Sequence, residues 1–358
     1  MASNNKVDIG FLEEKKSWLL HPKFFPSKVG GKPAWLDLKD LPNPNELVCK
    51  KCSEPLVFLC QIYAPYEDCN TAFHRTIFLF VCRNGSCCQT NGSDNFIALR
   101  CQLPRRNDFY SFEPYEEIET EDFPMDEWPN LCNLCGCKGP SHCSKCKKTY
   151  YCSRKHQILD WQKGHKQMCP ELQAGQGQAS KHNNFTVTEA GKSVLFKEWE
   201  LIVDEEDEED CKDVNVSEEM DKLRKLMEEK KAGTLNNVSE DELEQYTKTV
   251  PEDKVFNKFN KRVARHPDQV LRYDRGGQPL WITGESNNSI VNAPNCHYCN
   301  GERQFEFQIM PQLLNFIGVG IELNSIDWGV LVVYTCKSSC SQGPAYKEEV
   351  IFKQDLSS

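Results

Sequence analysis

No stretch of the 358 residues is long and apolar enough to cross a bilayer: the longest apolar runs, Thr76 to Cys82 and Gly329 to Cys336, fall well short of the roughly 20 residues a spanning helix needs. No membrane role is expected. Nor does the opening stretch MASNNKVDIGFLEEKKSWLL read as an export signal, because charges interrupt every apolar segment in it. Without export, disulfides are disfavoured, and the chain reads as a reduced intracellular protein. A phosphate-cradling glycine loop and a methyltransferase signature are also missing. Positive charge is in deficit: 43 Lys and Arg stand against 53 Asp and Glu, a formal net charge of −10. That balance disfavours unspecific attraction to a nucleic-acid backbone and favours basic partners. Apolar content, at 39%, is low for a single large globule, so two folded regions joined by linkers are expected.

What the chain has in abundance is cysteine, 20 in all, and its spacing is that of metal sites. Zinc at a structural site takes four thiolate or imidazole ligands in a tetrahedron, and a two-residue gap lets one tight turn supply two of them. In the centre of the chain, Cys132-x-x-Cys135 and Cys143-x-x-Cys146 are such pairs. Cys152 with His156, and His165 with Cys169, are four apart and share a helix face. Eight ligands make two sites. A segment of about 40 residues cannot bury a sufficient core, so metal must supply folding energy on the order of 10 kcal/mol or more per zinc. Catalytic zinc keeps an open position, whereas these sets all count to four, so no enzyme is expected. Cys137 and His142 fall outside the pattern and read as surface residues.

The remaining cysteines belong to a split internal repeat. Gly30-Gly31-Lys32-Pro33-Ala34-Trp35-Leu36 returns as Gly276-Gly277-Gln278-Pro279-Leu280-Trp281-Ile282. Cys49 and Cys52 follow the first copy, Cys296 and Cys299 the second, and Gln61-Ile62 is matched by Gln308-Ile309. Each half then runs through a β-branched and aromatic stretch into a second cysteine pair, Cys82 with Cys87 or Cys88, and Cys336 with Cys340. That layout is the pair-strand-pair order of a zinc ribbon, and each set is a candidate for one more zinc. Cys60, Cys69, Cys101 and Cys211 have no partner at ligand spacing and read as ordinary thiols.

The expected architecture is therefore α+β and β-rich: two copies of a zinc-ribbon-like β unit forming one body, with a small double-zinc finger and acidic linkers inserted between them. Residues 1–112 form the first half, 113–130 an acidic linker, 131–170 the finger, 171–250 a flexible acidic and helical linker, and 251–358 the second half. From Glu113 to Glu127 there are eight acidic residues and no basic one, and Asp204 to Asp210 is an unbroken acidic run. Between Leu131 and Cys169, eight Lys or Arg face only Asp160. Within the second linker Phe185 to Val203 reads as a strand or hairpin, Ser217 to Lys231 has helical spacing, and Ser239 with Glu242 is a capping box; Glu252 to Tyr273 is an amphipathic helical stretch interrupted at Pro267 that should pack on the second half.

The central order of cysteines and histidines, with Tyr150-Tyr151-Cys152-Ser153 before the first helix and Gln157, Trp161 and Lys166 on it, resembles a MYND zinc finger. The resemblance implies an interleaved cross-brace: Cys132, Cys135, Cys152 and His156 hold one zinc, and Cys143, Cys146, His165 and Cys169 the other. His156 stands where most members have cysteine. Such fingers generally recognise peptides, commonly proline-rich, which makes Tyr150, Tyr151, Gln157 and Trp161 candidate contacts. Together with Phe25 to Trp35, Leu103 to Ser111 and Gln308 to Leu314, the finger makes the whole chain similar to the programmed cell death protein 2 family. That resemblance implies a protein of nucleus and cytoplasm, tied to cell death and proliferation. It also implies two functional readings. One is an adaptor or chaperone for a basic client, a small-subunit ribosomal protein in ribosome biogenesis. The other is a DNA-associated regulator acting through the basic finger and corepressor-type peptide binding.

Overall fold

The β-branched and aromatic runs of the two halves become long strands, and every residue of one of them, His74–Val81, is buried. The computed structural model describes residues 6–119, 129–175, 187–206, 254–284, 293–319 and 325–356. The first half contributes β1 (Asp8–Glu13), β2 (Lys28–Val29), β3 (Val57–Tyr63), β4 (His74–Val81) and β5 (Phe96–Leu103). The finger holds β6 (Ser141–His142), β7 (Tyr150–Tyr151), α1 (Arg154–Asp160) and α2 (Lys166–Gln173), and α3 (Glu189–Lys192) and β8 (Trp199–Glu205) follow it. The second half contributes α4 (Lys254–Arg265), β9 (Leu271–Tyr273), β10 (Arg303–Ile309), α5 (Leu313–Phe316), β11 (Val330–Cys336) and β12 (Lys347–Gln354).

Ten strands close into one antiparallel barrel in the order β1-β8-β2-β3-β4-β5-β12-β11-β10-β9, while β6 and β7 pair separately. The halves meet directly where β5 pairs with β12, with Ala98 opposite Glu349 and Arg100 opposite Lys347. On the far side, β1 sits between β8 and β9 and completes the ring. Closure removes the open edges that a sheet of these strands would otherwise present.

Two regions differ from the sequence expectation. Residues 171–250 are not linker throughout, since β8 is a barrel strand between β1 and β2. Most of β8 falls within Phe185 to Val203, where a strand or hairpin is expected, and only its end runs into the acidic stretch, which reads as solvated. Glu206 is instead 3% exposed, held by Arg262 at 2.9 Å and Arg272 at 2.7 Å. Burial opposes its ionisation, but the two guanidiniums outweigh burial and hold the carboxyl at about 2. The helical stretch expected over 252–273 breaks at Pro267 as expected, but the residues beyond the break form a strand rather than more helix. Helix α4 stops at Arg265, two residues before Pro267, and Val270 instead donates its N–H to Gly10 at 2.8 Å beside β9. Its apolar face (Phe256, Phe259, Val263) packs on Ile282, Phe305, Met310 and Val332 of the second half. The helix expected over Ser217 to Lys231, the Ser239 capping box, Cys211 and most of both acidic runs lie outside the described residues.

Successive strand residues alternate between the lumen and the outside. Arg75 on β4 reaches Glu306 on β10 and Thr335 on β11, strands that are not its neighbours, so its side chain crosses the lumen. Both members of the Arg75–Glu306 pair are fully buried, at 2.5 and 2.7 Å, and the Tyr273 hydroxyl donates to the same carboxylate at 2.9 Å. Burial works against a charged Glu306, yet Arg75, Arg275 and Thr335 overcome it and hold the carboxyl at about 2. A second buried carboxylate, Glu349, accepts from Arg100 of the first half at 2.7 Å and from Arg303 of the second at 2.9 Å. Ion pairs thus tie the halves together inside the barrel.

Candidate metal centres

Four tight turns supply one cysteine pair each, and all four turns share the same backbone. In each, the N–H of the fourth residue after the first cysteine donates to that cysteine's carbonyl: Ser53 to Cys49, Gly136 to Cys132, Lys147 to Cys143 and Asn300 to Cys296, at 2.8 to 2.9 Å. Those four residues all have positive φ, between 56° and 72°. The bend turns both sulfurs of a pair toward one point. N–H groups also point at the sulfurs, as from Lys51 to Cys49 and from Gly301 to Cys299, each at 3.4 Å.

Among the described residues four groups of four ligand atoms result, each with all atoms within 4.8 Å of one another: Cys49, Cys52, Cys82 and Cys87; Cys132, Cys135, Cys152 and His156; Cys143, Cys146, His165 and Cys169; and Cys296, Cys299, Cys336 and Cys340. Their spacing fits zinc. A tetrahedron with Zn–S bonds of about 2.3 Å requires sulfurs about 3.8 Å apart, and slightly less between sulfur and nitrogen. Observed separations are 3.6 Å for Cys52 to Cys82, 3.9 Å for Cys143 to Cys169, 3.8 Å for Cys296 to Cys340 and 3.6 Å for Cys299 to Cys336. His156 turns Nδ1 to Cys132 at 3.5 Å, and His165 turns Nε2 to Cys146 at 3.6 Å. In the first half Cys87 is the residue brought into the group. Cys88 turns away, donating to the Asp327 carbonyl and receiving Lys353 Nζ, both at 3.0 Å.

Local structure aims the central ligands. Ser153 caps α1 by accepting from the His156 N–H at 3.2 Å. One π-helical turn, Trp161–His165, then joins α1 to α2 and sets the direction of His165 relative to His156. The other ring nitrogen of His165 lies 3.4 Å from the Thr149 hydroxyl, an outer partner that steadies the ring.

The finger is seated on the first copy of the repeated motif. The Trp35 indole N–H donates to the Gly136 carbonyl at 2.7 Å, and a Cβ at Gly136 would come within 2.7 Å of the Lys32 side chain. Lys32 is 2% exposed, and burial lowers its ammonium to about 8, with Cys132, Cys135, Asp160 and Glu198 pulling the other way. Leu131, Leu134 and Tyr151 of the finger and Trp35, Phe78 and Phe80 of the barrel share one apolar core. Lys155 adds an exposed pair with Glu54 at 2.8 Å.

Two sequence expectations fail here. Tyr151 is fully buried and its hydroxyl donates to Asp160 at 2.8 Å, so it is part of the finger's interior and cannot meet a peptide. Tyr150, Gln157 and Trp161 remain half-exposed, with Lys145 Nζ 5.3 Å from the Trp161 ring centre. Cys137 is a buried residue rather than a surface one, since its carbonyl closes the first turn by accepting from Cys132 at 2.7 Å. Sequence reasoning also missed Lys32 and Trp35 as the finger's seat, and Arg75, Glu306 and Glu349 as the lumen's charges. The available signal was a lone charge inside an otherwise apolar strand, as in His74-Arg75-Thr76-Ile77-Phe78.

An interleaved eight-ligand unit docked on a closed barrel with two further four-cysteine groups defines a MYND-type zinc-finger protein. The MYND finger family matches residues 132–169, and the N-terminal domain and C-terminal putative domain of programmed cell death protein 2 match residues 6–117 and 253–355. Programmed cell death protein 2 of Rattus norvegicus is 42% identical over 98% of this chain and 96% of its own length. Programmed cell death protein 2-like of Homo sapiens is 28% identical over 88% and 85%. A protein of Schizosaccharomyces pombe named probable 20S rRNA accumulation protein 4 is 24% identical over 96% and 94%. No solved structure matches. The chain belongs to the programmed cell death protein 2 family, which is not a known enzyme family.

Proposed function

We propose that this chain is a non-enzymatic, zinc-dependent adaptor or chaperone that binds a basic protein client, a small-subunit ribosomal protein during ribosome biogenesis. It works in nucleus and cytoplasm, and its tie to cell proliferation and death follows from that work. The observation that carries the reading is the match, along nearly the whole chain, to a relative named for the accumulation of 20S rRNA. Charge agrees with it: a net −10 favours a cationic client. Zinc is structural in this reading, two ions in the finger and one in each half. The two halves are copies of one zinc-ribbon-like unit, a reading supported by Gln61 and Gln308, which hold the matching positions Ala34 and Leu280 in the same way.

The test is direct binding of the intact chain to purified small-subunit ribosomal proteins, one at a time, at physiological salt. One member should bind far more tightly than an unrelated protein of equal positive charge. Uniform weak binding that vanishes with added salt would sink the proposal, and salt-resistant binding to duplex DNA would favour the regulator reading instead.

A further inference from the structure

The motif that occurs twice is fully covered only once. Lys28-Val29-Gly30-Gly31-Lys32-Pro33-Ala34-Trp35-Leu36 aligns without a gap on Asp274-Arg275-Gly276-Gly277-Gln278-Pro279-Leu280-Trp281-Ile282. Both copies are pinned in the same manner. Gln61 accepts from the Ala34 N–H at 2.9 Å and Gln308 from the Leu280 N–H at 2.6 Å, and each glutamine donates back to the same residue's carbonyl. The rings on the strands match as well: Phe58 meets Phe80 at 5.7 Å and Phe305 meets Tyr334 at 6.0 Å, both edge to face.

Their surroundings differ. From Gly30 to Leu36 the first copy is buried throughout. The Phe196 carbonyl accepts from Gly31 at 3.0 Å, the Gly136 carbonyl accepts from the Trp35 indole, and Glu198 pairs with Lys28. Along Gly276 to Ile282, only Ile282 is buried. Helix α4 covers Ile282 and the cluster around it, but Trp281 beside it is half-exposed, and its indole N–H has no hydrogen-bond partner among the described residues; Leu280, Tyr334 and Phe352 extend the same half-buried apolar shelf. Charge is reversed where it matters. Lys28 and Lys32 face anionic groups of the segments covering them, whereas the second copy has Asp274 and Gln278 at those positions. The Asp274 carboxylate is half-buried, with the Gln278 backbone N–H and the Arg272 guanidinium beside it, and its Oδ1 atom has no hydrogen-bond partner among the described residues.

We propose that this open copy is the docking site for the client. A backbone segment of a basic protein lies across Leu280, Trp281, Tyr334 and Phe352, one of its carbonyls accepts from the Trp281 indole, and a Lys or Arg meets Asp274. The sister copy shows what kind of occupant fits: a polypeptide segment offering carbonyls, with charge opposite to the residue at position 28 or 274. The identity of the occupant rests on the client reading above; the open face does not.

Two measurements on the intact chain decide the matter. In the first, the small-subunit ribosomal protein that binds the parent chain is titrated against Trp281→Ala and Asp274→Lys. Each should weaken binding roughly tenfold, as loss of a central aromatic or charge anchor does, with zinc content and thermal unfolding unchanged. Gln278→Arg, an exposed change that adds the wrong charge, replaces either variant if that variant misfolds. Parent-like affinity in all the folded variants overturns the docking site and leaves the client reading standing, whereas a parent chain that binds no ribosomal protein overturns both. In the second, hydrogen exchange on the free chain should be much faster at residues 276–281 than at 30–36. Equal protection means the chain covers its own second copy, and the proposal falls whatever the client does.

Discussion

The finger and the barrel share one apolar core, yet they are held in shape by different means. The finger has two strands of two residues each and short helices, so little of its backbone is fixed by regular hydrogen bonding. Its interior consists chiefly of ligands, with Leu131, Leu134 and Tyr151 filling the gaps. The barrel has strands of up to eight residues, a closed ladder, and two carboxylates neutralised in its lumen. Size accounts for the difference. A segment of about 40 residues cannot bury enough apolar surface to offset its ordering entropy, and metal makes up the deficit; a ten-strand barrel has a core of its own.

Removing metal should separate the two most sharply. With a strong chelator the finger loses on the order of 10 kcal/mol per site and unfolds, while most of the β signal in circular dichroism persists. Native mass spectrometry should count four zinc ions on the untreated chain; a count of two would restrict metal to the finger and remove it from the halves. A smaller effect, about 3–5 kcal/mol by denaturant unfolding, is expected for Glu306→Gln, which leaves Arg75 charged and unpaired in the lumen. Replacing both partners by apolar residues should cost much less, and an equal cost would mean the ion pair itself matters more than the orphaned charge. Trp35→Phe deletes the indole donor to Gly136 and should cost about 1–3 kcal/mol, seen as faster hydrogen exchange in the finger but not along β3 to β5.

The smallest effect concerns pH in the barrel wall. His74 stacks on Phe25 at 4.2 Å and meets the Tyr63 hydroxyl at 3.0 Å. Burial, helped by Arg105, lowers its imidazolium to about 4. The folded state therefore favours neutral imidazole, and stability falls as pH drops from about 6.5 toward 4, because the unfolded chain takes up the proton first. His74→Gln should flatten that slope by about 1 kcal/mol between pH 7 and pH 5, in unfolding curves compared with the parent. An unchanged slope would mean that His74 does not set the acid sensitivity in that range.

The grouping of the cysteines and histidines was legible because cysteine spacing dictates turn geometry nearly by itself. A first cysteine, a second three residues on and a tight turn leave few conformations, so ligand grouping can be read without knowing the fold. The recurring motif is readable in the sequence, and in the fold Gln61 and Gln308 perform the same local task beside each copy. What sequence hid was set by distant partners. Glu206 looks like part of a solvated acidic run until Arg262 and Arg272 are placed beside it. Arg75 and Glu306 each look like interruptions of a strand until the barrel brings them together across 231 residues. Tyr151 resembled an exposed aromatic because its partner, Asp160, lies on a helix whose packing the sequence does not reveal.

The seam between β5 and β12 has a consequence for how the chain is made. Arg100 pairs with Lys347, so the first half is translated long before the strand that completes it. Throughout that interval the nascent β2 to β5 sheet presents an unsatisfied edge at β5, a template for pairing with the wrong chain. Contacts this distant in sequence also slow folding after release. A zinc ion clamping Cys49, Cys52, Cys82 and Cys87 would stiffen the β3–β4 hairpin while the polypeptide is still emerging, so the first metal site would serve translation before it serves the finished protein.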